Sequence, residues 1–359
     1  MVQLRPTQKQ AYRRDAWLEI NLDNLEFNLK KIYAEFNKPL IPVLKADAYG
    51  HGAAIIVKVL DAYPFIEAYA VASIDEALSL RETTAKRIVV LGISPDWALE
   101  RALSEQIEIT IVDLAAAIKL DELAGQQGLK AQVHIKFDTG MNRIGFKSKK
   151  DIAAIEALEN LEIKSVYTHF ADAANKDLCI KQYQLFKQLS EGMGYPMHPA
   201  SSQALRALGE QVDFDYVRCG IELYGLENPE LKPLLSLFAR ISFIKEIEAG
   251  ESVSYKATWT ASEATKIATL PLGYADGVPR SLSNNIVGRL KPETVKQVGL
   301  ITMDQMMFDI GSIDAQTGDL VELLGDDLPV SDWACGAGSI SYEIVSALSL
   351  RLPKTYTRK

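Results

Sequence analysis

The chain has 359 residues, 48% hydrophobic and 24% charged, with a formal net charge of -8 and a pI of about 5.3. This is the balance of an ordinary globular protein, and its acidity excludes the basic footprint of a nucleic-acid binder. Cys179, Cys219 and Cys335 sit at no zinc or redox spacing, and such a sparse, odd set fits a reducing compartment.

The N-terminal stretch MVQLRPTQKQAYRRDAW lacks the apolar core of a secretory signal. No apolar run reaches the ~18–20 residues of a membrane span, so the expectation is a cytoplasmic protein with no membrane partner. DAWLEINLDNLEFNLKKIYAEF reads as a leading helix with Asp23 as its N-cap. Eight strands follow, at 42–46, 67–73, 87–92, 107–112, 131–137, 163–170, 197–201 and 215–220, the seventh being the weakest pattern. The intervals carry amphipathic helices such as SIDEALSLRE and DWALERALSEQ, with Ser73 and Asp96 as N-caps.

Strands alternating with helices imply a parallel sheet, and eight such units over about 200–250 residues suit a (β/α)8 barrel, with an open doubly wound sheet as the rival. The barrel is expected over residues 16–235. Beyond it, SLFARISFIKEIEAGESVSYKATWTA alternates polar and apolar residues, and Gly-rich turns follow. A mainly β C-terminal domain is expected at 236–359, closed by a short helix in SISYEIVSALSL.

In a barrel of this type the informative positions are the C-terminal strand ends. Lys45 ends the first strand, and Lys136 lies near the end of the fifth, followed by Arg143 in DTGMNRIG. His169 ends the sixth, Ser201 and Ser202 follow the seventh, and Arg218 and Gly220 end the eighth. Singly, each has an ordinary reading: a snorkelling lysine, a satisfied rim histidine, an ion-paired arginine, a capping serine pair. Tyr49 and Tyr255 read equally as packing aromatics. Together they make a cationic rim with a phosphate-type site after strands seven and eight. That suggests a phosphate-bearing carbonyl cofactor held by a lysine Schiff base, and pyridoxal 5'-phosphate fits.

At VLKADAYGHG, FDTGMNRIGF, YTHFA, VRCGIELYGL, VSYKATWT, LPLGYADGVPR, ITMDQMMFDIG and ISYEI the sequence resembles the alanine racemases, in the expected order from about residue 16 to residue 345. The resemblance implies a pyridoxal-phosphate barrel with a C-terminal β domain, racemising L- and D-alanine and supplying D-alanine for peptidoglycan. It makes Lys45 the cofactor's attachment point and one catalytic base, and Tyr255, from the other subunit of a homodimer, the second base. Tyr49, Ser202, Gly220, Ile221 and Tyr342 match phosphate-holding positions. Arg218 matches the arginine facing the pyridine nitrogen, with His169 behind it. Arg143 matches a residue near the cofactor phenolate and substrate carboxylate, and Lys136 a lysine carbamylated in several relatives that orients it. Met303 and Asp304 match the substrate-side loop, and Tyr274 the entryway.

The chain departs from the pattern at Leu300 and Thr302, where relatives often have Arg and Cys, and at Ser201, where they often have Asn. These positions bear on pocket shape and on alanine against serine or another small amino acid. A decarboxylase of the same architecture is disfavoured by Arg218 and the tyrosine of VSYKATWT. A non-catalytic pyridoxal-phosphate carrier is disfavoured by the full second domain, and a relic site by the retention of Lys45, Arg143, Arg218 and Tyr255 together.

Overall fold

The computed structural model describes residues 14–209, 212–348 and 350–358; most of the N-terminal stretch read for a signal lies outside them. Two compact units divide the chain. One is Glu26–Ala48 with Gly52–Leu223; the other takes the described residues through Leu25, Tyr49–His51, and the chain from Tyr224 onward.

The first element corrects the sequence reading. Residues Ala16–Asn21 form a strand (β1), not the start of a helix. Ala16, Leu18 and Ile20 are buried and the residues between them half-buried, the period of two of a strand. The helix begins at Leu22 and runs to Phe36. Asn21 rather than Asp23 caps it, accepting the N–H groups of Asp23 (3.0 Å) and Asn24 (3.1 Å).

In the first unit eight strands are present, the first lying upstream of the expected 42–46: β2 (Leu40–Pro42), β3 (Ala68–Val71), β4 (Arg87–Val90), β5 (Glu108–Ile111), β6 (Ala131–Lys136), β7 (Leu161–Tyr167), β8 (Met197–His198) and β9 (Val217–Cys219). Strands β3 to β8 pair in parallel in sequence order. β2 pairs in parallel with β9, and single bridges at Val43–Ala70 and Ser201–Arg218 join β2 to β3 and β8 to β9. The ring closes, which decides for a barrel over an open sheet. The four residues of β3 and of β5 are all buried, as expected of strands covered on both faces. β8 is only two residues long; Pro199 follows it and cannot donate to a ladder.

Ser73 caps its helix as expected, accepting from the Glu76 N–H at 3.3 Å. Asp96 does not cap: the cap position is Pro95, and Asp96 lies in the first helical turn, ion-paired with Lys119.

The second unit is built on a nine-stranded sheet. Its strands are β1, β10 (Leu235–Arg240), β11 (Phe243–Ile247), β14 (Thr265–Leu270), β15 (Val287–Leu290), β16 (Glu293–Val298), β17 (Met306–Gly311), β18 (Leu320–Leu324) and β19 (Lys354–Thr357), in the order β11-β14-β17-β16-β15-β18-β10-β1-β19. β12 (Ser252–Val253) and β13 (Trp259–Thr260) form a separate small ribbon. The expected helix is present at Ser341–Ala347, but β19 follows it and pairs in parallel with β1. No helix among the described residues is long and apolar enough to cross a membrane.

Candidate active site

The first strand stops at Pro42, short of Lys45. Lys45 opens a left-handed turn in which Ala46, Asp47, Ala48 and Tyr49 have φ of 52°, 53°, 57° and 52°. For L-residues this conformation costs roughly 1–2 kcal/mol each, so the turn needs fixed partners. The Glu76 carboxylate accepts the N–H groups of Ala46 and Ala72, both at 2.7 Å. Asp47 accepts the Ala53 N–H at 2.8 Å through its side chain and the Gly52 N–H at 2.9 Å through its carbonyl. Strain held by surrounding bonds is typical of functional sites.

Arg143 rides on the loop after β6. Asp138 pins that loop by accepting the N–H groups of Gly140 (3.0 Å) and Asn142 (2.9 Å). Gly145 lets the chain return against β6: its φ is +123°, and a Cβ there would stand 2.8 Å from the Lys136 carbonyl oxygen.

Lys136 and Arg218 are only 4% and 3% exposed. Both cations lie over the Tyr167 ring, at 5.5 Å and 5.3 Å from its centroid. Burial, then the like charges of Arg143 and Arg218, push the Lys136 ammonium down to about 8, against the pull of Asp138. Burial and Arg143 also lower Lys45, opposed by Glu76, although the Lys45 side chain still reaches solvent at the barrel mouth. His169 falls to about 3 through burial and the cations Arg218, Lys136, Arg143 and Lys45. It is therefore a neutral imidazole at neutral pH.

Arg218 gives its terminal N–H groups to the protein. They reach His198 Nδ1 at 2.7 Å, the His198 carbonyl, and the Thr168 carbonyl at 2.7 Å, with His169 Nδ1 and the Pro199 carbonyl at 3.5 Å. Among the described residues none takes its Nε–H, which can serve a ligand. Burial lowers Arg218 to about 10, which leaves it charged at neutral pH.

Ser202 begins the short helix Ser202–Leu208, capped by Ser201 through the Ala204 N–H at 3.4 Å. The 3-10 turn Ile221–Tyr224 begins after Gly220. The Ser202 hydroxyl donates to Glu222 at 2.5 Å, tying these two turns together, and Glu222 also pairs with Arg206. Backbone N–H groups at two adjoining helical starts suit a phosphate.

Lys45, Lys136, Arg143, His169, Ser202, Arg218, Gly220 and Ile221 thus all belong to the barrel unit. Tyr49 and Tyr342 fall in the other, packed edge to face at 6.1 Å. In that unit Tyr255, Tyr274, Met303 and Asp304 line, with Arg280 and Gln305 among others, a cleft of about 510 Å³. Tyr255 is 69% exposed. Its turn is held by residues of positive φ, with Ser254 at 66° and Lys256 at 62°, and by the Ser254 hydroxyl donating to the Leu300 carbonyl at 2.6 Å. Tyr274 and Ala275 donate to the Thr302 and Met303 carbonyls, both at 3.0 Å. A Cβ on Gly273 would meet the Thr302 oxygen at 2.3 Å, so this close approach requires glycine. Asp304 is held by Arg351 at 2.6 Å.

The sequence reading missed Glu76, Asp138, Tyr167 and His198. Tyr167 and His198 carried a signal: each is a polar-bearing residue at the end of a barrel strand. Glu76 lay hidden inside an ordinary amphipathic helix.

Two family models match, the alanine racemase N-terminal domain over residues 20–228 and the alanine racemase C-terminal domain over residues 234–356. An alanine racemase of Clostridium kluyveri is 38% identical, covering 96% of this chain and 95% of its own length. One from Desulforamulus reducens is 37% identical, covering 95% and 98%. The solved alanine racemase of Clostridium difficile 630 superposes with a TM-score of 0.91 at 34% identity, covering 97% of both chains. The sequence motifs, the barrel with its cationic mouth, the β unit and these relatives agree: the chain belongs to the alanine racemase family of amino-acid isomerases.

Proposed function

We propose that the protein interconverts L- and D-alanine with pyridoxal 5'-phosphate, using two bases on opposite faces of the substrate, one from each subunit of a homodimer. The observation that carries the cofactor reading is the barrel mouth itself: Lys45, Lys136, Arg143 and Arg218 gather there, with two helical starts beside them. Such a mouth suits a ligand bearing a phosphate and a phenolate, together with a substrate carboxylate.

When bound, pyridoxal phosphate supplies an electron sink that acidifies the amino acid's α-proton. The protein's own groups do the rest. Lys45 holds the cofactor through its amino nitrogen and, once released, moves the proton at one face. Tyr255 of the partner subunit moves it at the other. Ser202 and the Gly220–Ile221 backbone receive the phosphate, with Tyr49 and Tyr342 as further donors by resemblance. Arg143 holds the substrate carboxylate; by resemblance Lys136 would orient it as the carbamate that several relatives carry, since as an ammonium it repels Arg143. Tyr274, Met303 and Asp304 shape the entry.

Arg218 sets the outcome. A charged arginine only donates, so a ring nitrogen placed at its Nε–H would stay unprotonated. The electron sink would then be weak, which would disfavour transamination and decarboxylation. A role in peptidoglycan supply within the cytoplasm follows from the family resemblance. The test is a racemisation assay on a panel of L-amino acids with protein stripped of pyridoxal phosphate, before and after the cofactor is returned. Alanine should turn over fastest and depend on the cofactor; preference for serine would move the assignment to another small amino acid, and cofactor-independent turnover would overturn it.

A further inference from the structure

Beneath the mouth, the barrel interior carries a line of polar groups that the proposed reaction does not use. His198 Nε2 lies 2.7 Å from Ser165 Oγ; Ser165 Oγ lies 2.5 Å from His134 Nδ1; His134 Nε2 lies 2.7 Å from Glu108 Oε2. With the Arg218–His198 bond, four hydrogen bonds link Arg218 to Glu108. The four residues below Arg218 are all buried, none more than 2% exposed. Glu108 also takes Arg87 in a two-point pair, at 2.5 Å and 3.0 Å, and Arg87 pairs with Glu67. Tyr167 stacks on His198 at 4.7 Å, and its hydroxyl bonds Thr110 at 2.8 Å.

The direction of this line follows from proton counting. Arginine can only donate, and an ionised carboxylate can only accept. The two-point Arg87 pair, at 2.5 Å and 3.0 Å, holds Glu108 as a charged carboxylate against the cost of its burial. Four bonds need four protons. Arg218 gives one to His198 Nδ1, His198 gives its Nε2 proton to Ser165, Ser165 gives its hydroxyl proton to His134 Nδ1, and His134 gives its Nε2 proton to Glu108. A further proton on His198 would set N–H against N–H at Arg218. A further proton on His134 would displace the Ser165 hydroxyl proton, which then loses its acceptor in the line.

We propose that His198, Ser165, His134 and Glu108 are positioning residues that form a one-directional hydrogen-bond relay, locking both histidines neutral and protonated on Nε2, and giving buried Arg218 its counter-charge at a distance. The acceptors that Arg218 touches directly are neutral. Its charge is balanced by Glu108 through the relay, while Glu67 balances Arg87. A carboxylate placed directly on Arg218 would compete with a ligand for the guanidinium; the relay stabilises the cation and leaves the Nε–H a strong donor. The last step, donation to the pyridine nitrogen, rests on the cofactor reading above.

The experiment is nitrogen NMR of the holoenzyme labelled in its imidazoles. The chain has 4 histidines, so the signals of His134 and His198 can be assigned by their loss in H134Q and H198Q variants. Both should be neutral Nε2–H tautomers, unchanged from about pH 6 to about pH 9, across the range where an ordinary histidine titrates. An imidazolium or an Nδ1–H tautomer at either position overturns the relay. Ser165→Ala then removes the central hydroxyl while keeping both charged ends. At least one histidine should lose its single tautomer, and kcat should fall about tenfold, the low end of what supporting partners of a working side chain are worth, with KM changed less than twofold. Unchanged tautomers and kcat in Ser165→Ala would sink the inference. If the tautomers behave as expected but the protein binds no pyridoxal phosphate, the cofactor reading fails and the relay stands.

Discussion

The barrel mouth and the Tyr255 cleft solve opposite problems. In the barrel, two cations are buried and framed by fixed neighbours, Arg218 by carbonyls and His198 and Lys136 by Tyr167 and Asp138, while Lys45 and Arg143 reach solvent and the Lys45 turn is held by Glu76. In the cleft, the backbone is fixed but the side chains face outward: Tyr255, Met303 and Tyr274 are 69%, 53% and 42% exposed. The barrel invests its structure in electrostatics, and the cleft invests it in backbone shape, through strained turns at Ser254 and Lys256 and the glycine-only approach at Gly273. The lesson is that one region prepares a charged ligand site while the other prepares groups for presentation. That division matches a reaction whose second base is delivered to the site by a partner.

The strongest way to break this comparison is to remove one delivered group from each region. Lys45→Ala should abolish racemisation and the visible absorbance of the covalently held cofactor. Retention of both would show that the barrel is not the cofactor's home. Tyr255→Phe should leave cofactor absorbance intact and impair proton transfer from one enantiomer by at least about 10²-fold, the lower range for a general base, with a much smaller loss from the other. This is measured by solvent deuterium incorporation into each enantiomer; equal losses in both directions would remove the two-base assignment. Mixing the two inactive variants offers a sharper version. If the sites are shared, hybrid dimers carry one site with both lesions and one with neither, so part of the activity should return. A mixture confirmed to exchange subunits that stays inactive would count against shared sites.

A weaker effect separates the regions by pH. Burial, with the surrounding cations, holds the folded-state pKa of His169 at about 3, against an ordinary value near ~6.5. Below about 6.5 the unfolded chain takes up a proton that the folded protein refuses until about 3, so stability is lost as pH falls through that window. His169→Gln should flatten the fall of Tm with acid. An unchanged slope would mean that burial and the cations together do not hold this residue neutral.

The fold was largely legible because its signals are periodic. Eight buried runs separated by amphipathic helices point to a closed parallel barrel, and the alternation after residue 235 points to the β unit. β1 was missed because AWLEIN, followed directly by LDNLEFNLKKIYAEF, merges with a strong helical pattern; its strand state is set by pairing with β10 and β19, which are far away in sequence. The site was legible where a residue type is costly without a use, as with Lys45 or Arg218. It was illegible where the work is done by ordinary residues in unusual company. Glu76 looks like a surface carboxylate until Ala46 and Ala72 turn their N–H groups to it, and Ser165 is an unremarkable serine until two histidines flank it. Such roles depend on neighbours across strands, which no local pattern encodes.

The smallest expected effect tests whether a cap at the mouth does more than a cap elsewhere. Ser201 and Asp113 both cap barrel helices, Asp113 accepting the Ala116 N–H at 2.8 Å and Ser201 the Ala204 N–H at 3.4 Å. Loss of an N-cap costs about 0.5–2 kcal/mol. The longer bond puts Ser201→Ala at the lower end of that range and Asp113→Ala above it. If the helix after β8 receives the cofactor's phosphate, the order reverses for binding. Ser201→Ala then disturbs the N–H groups meant for the phosphate and should weaken pyridoxal-phosphate retention several-fold in dialysis. Asp113→Ala, with the larger stability loss, should leave retention unchanged. Stability and retention that fall together in both variants would mean that the turn after β8 is only a helix start, and that the phosphate is held elsewhere.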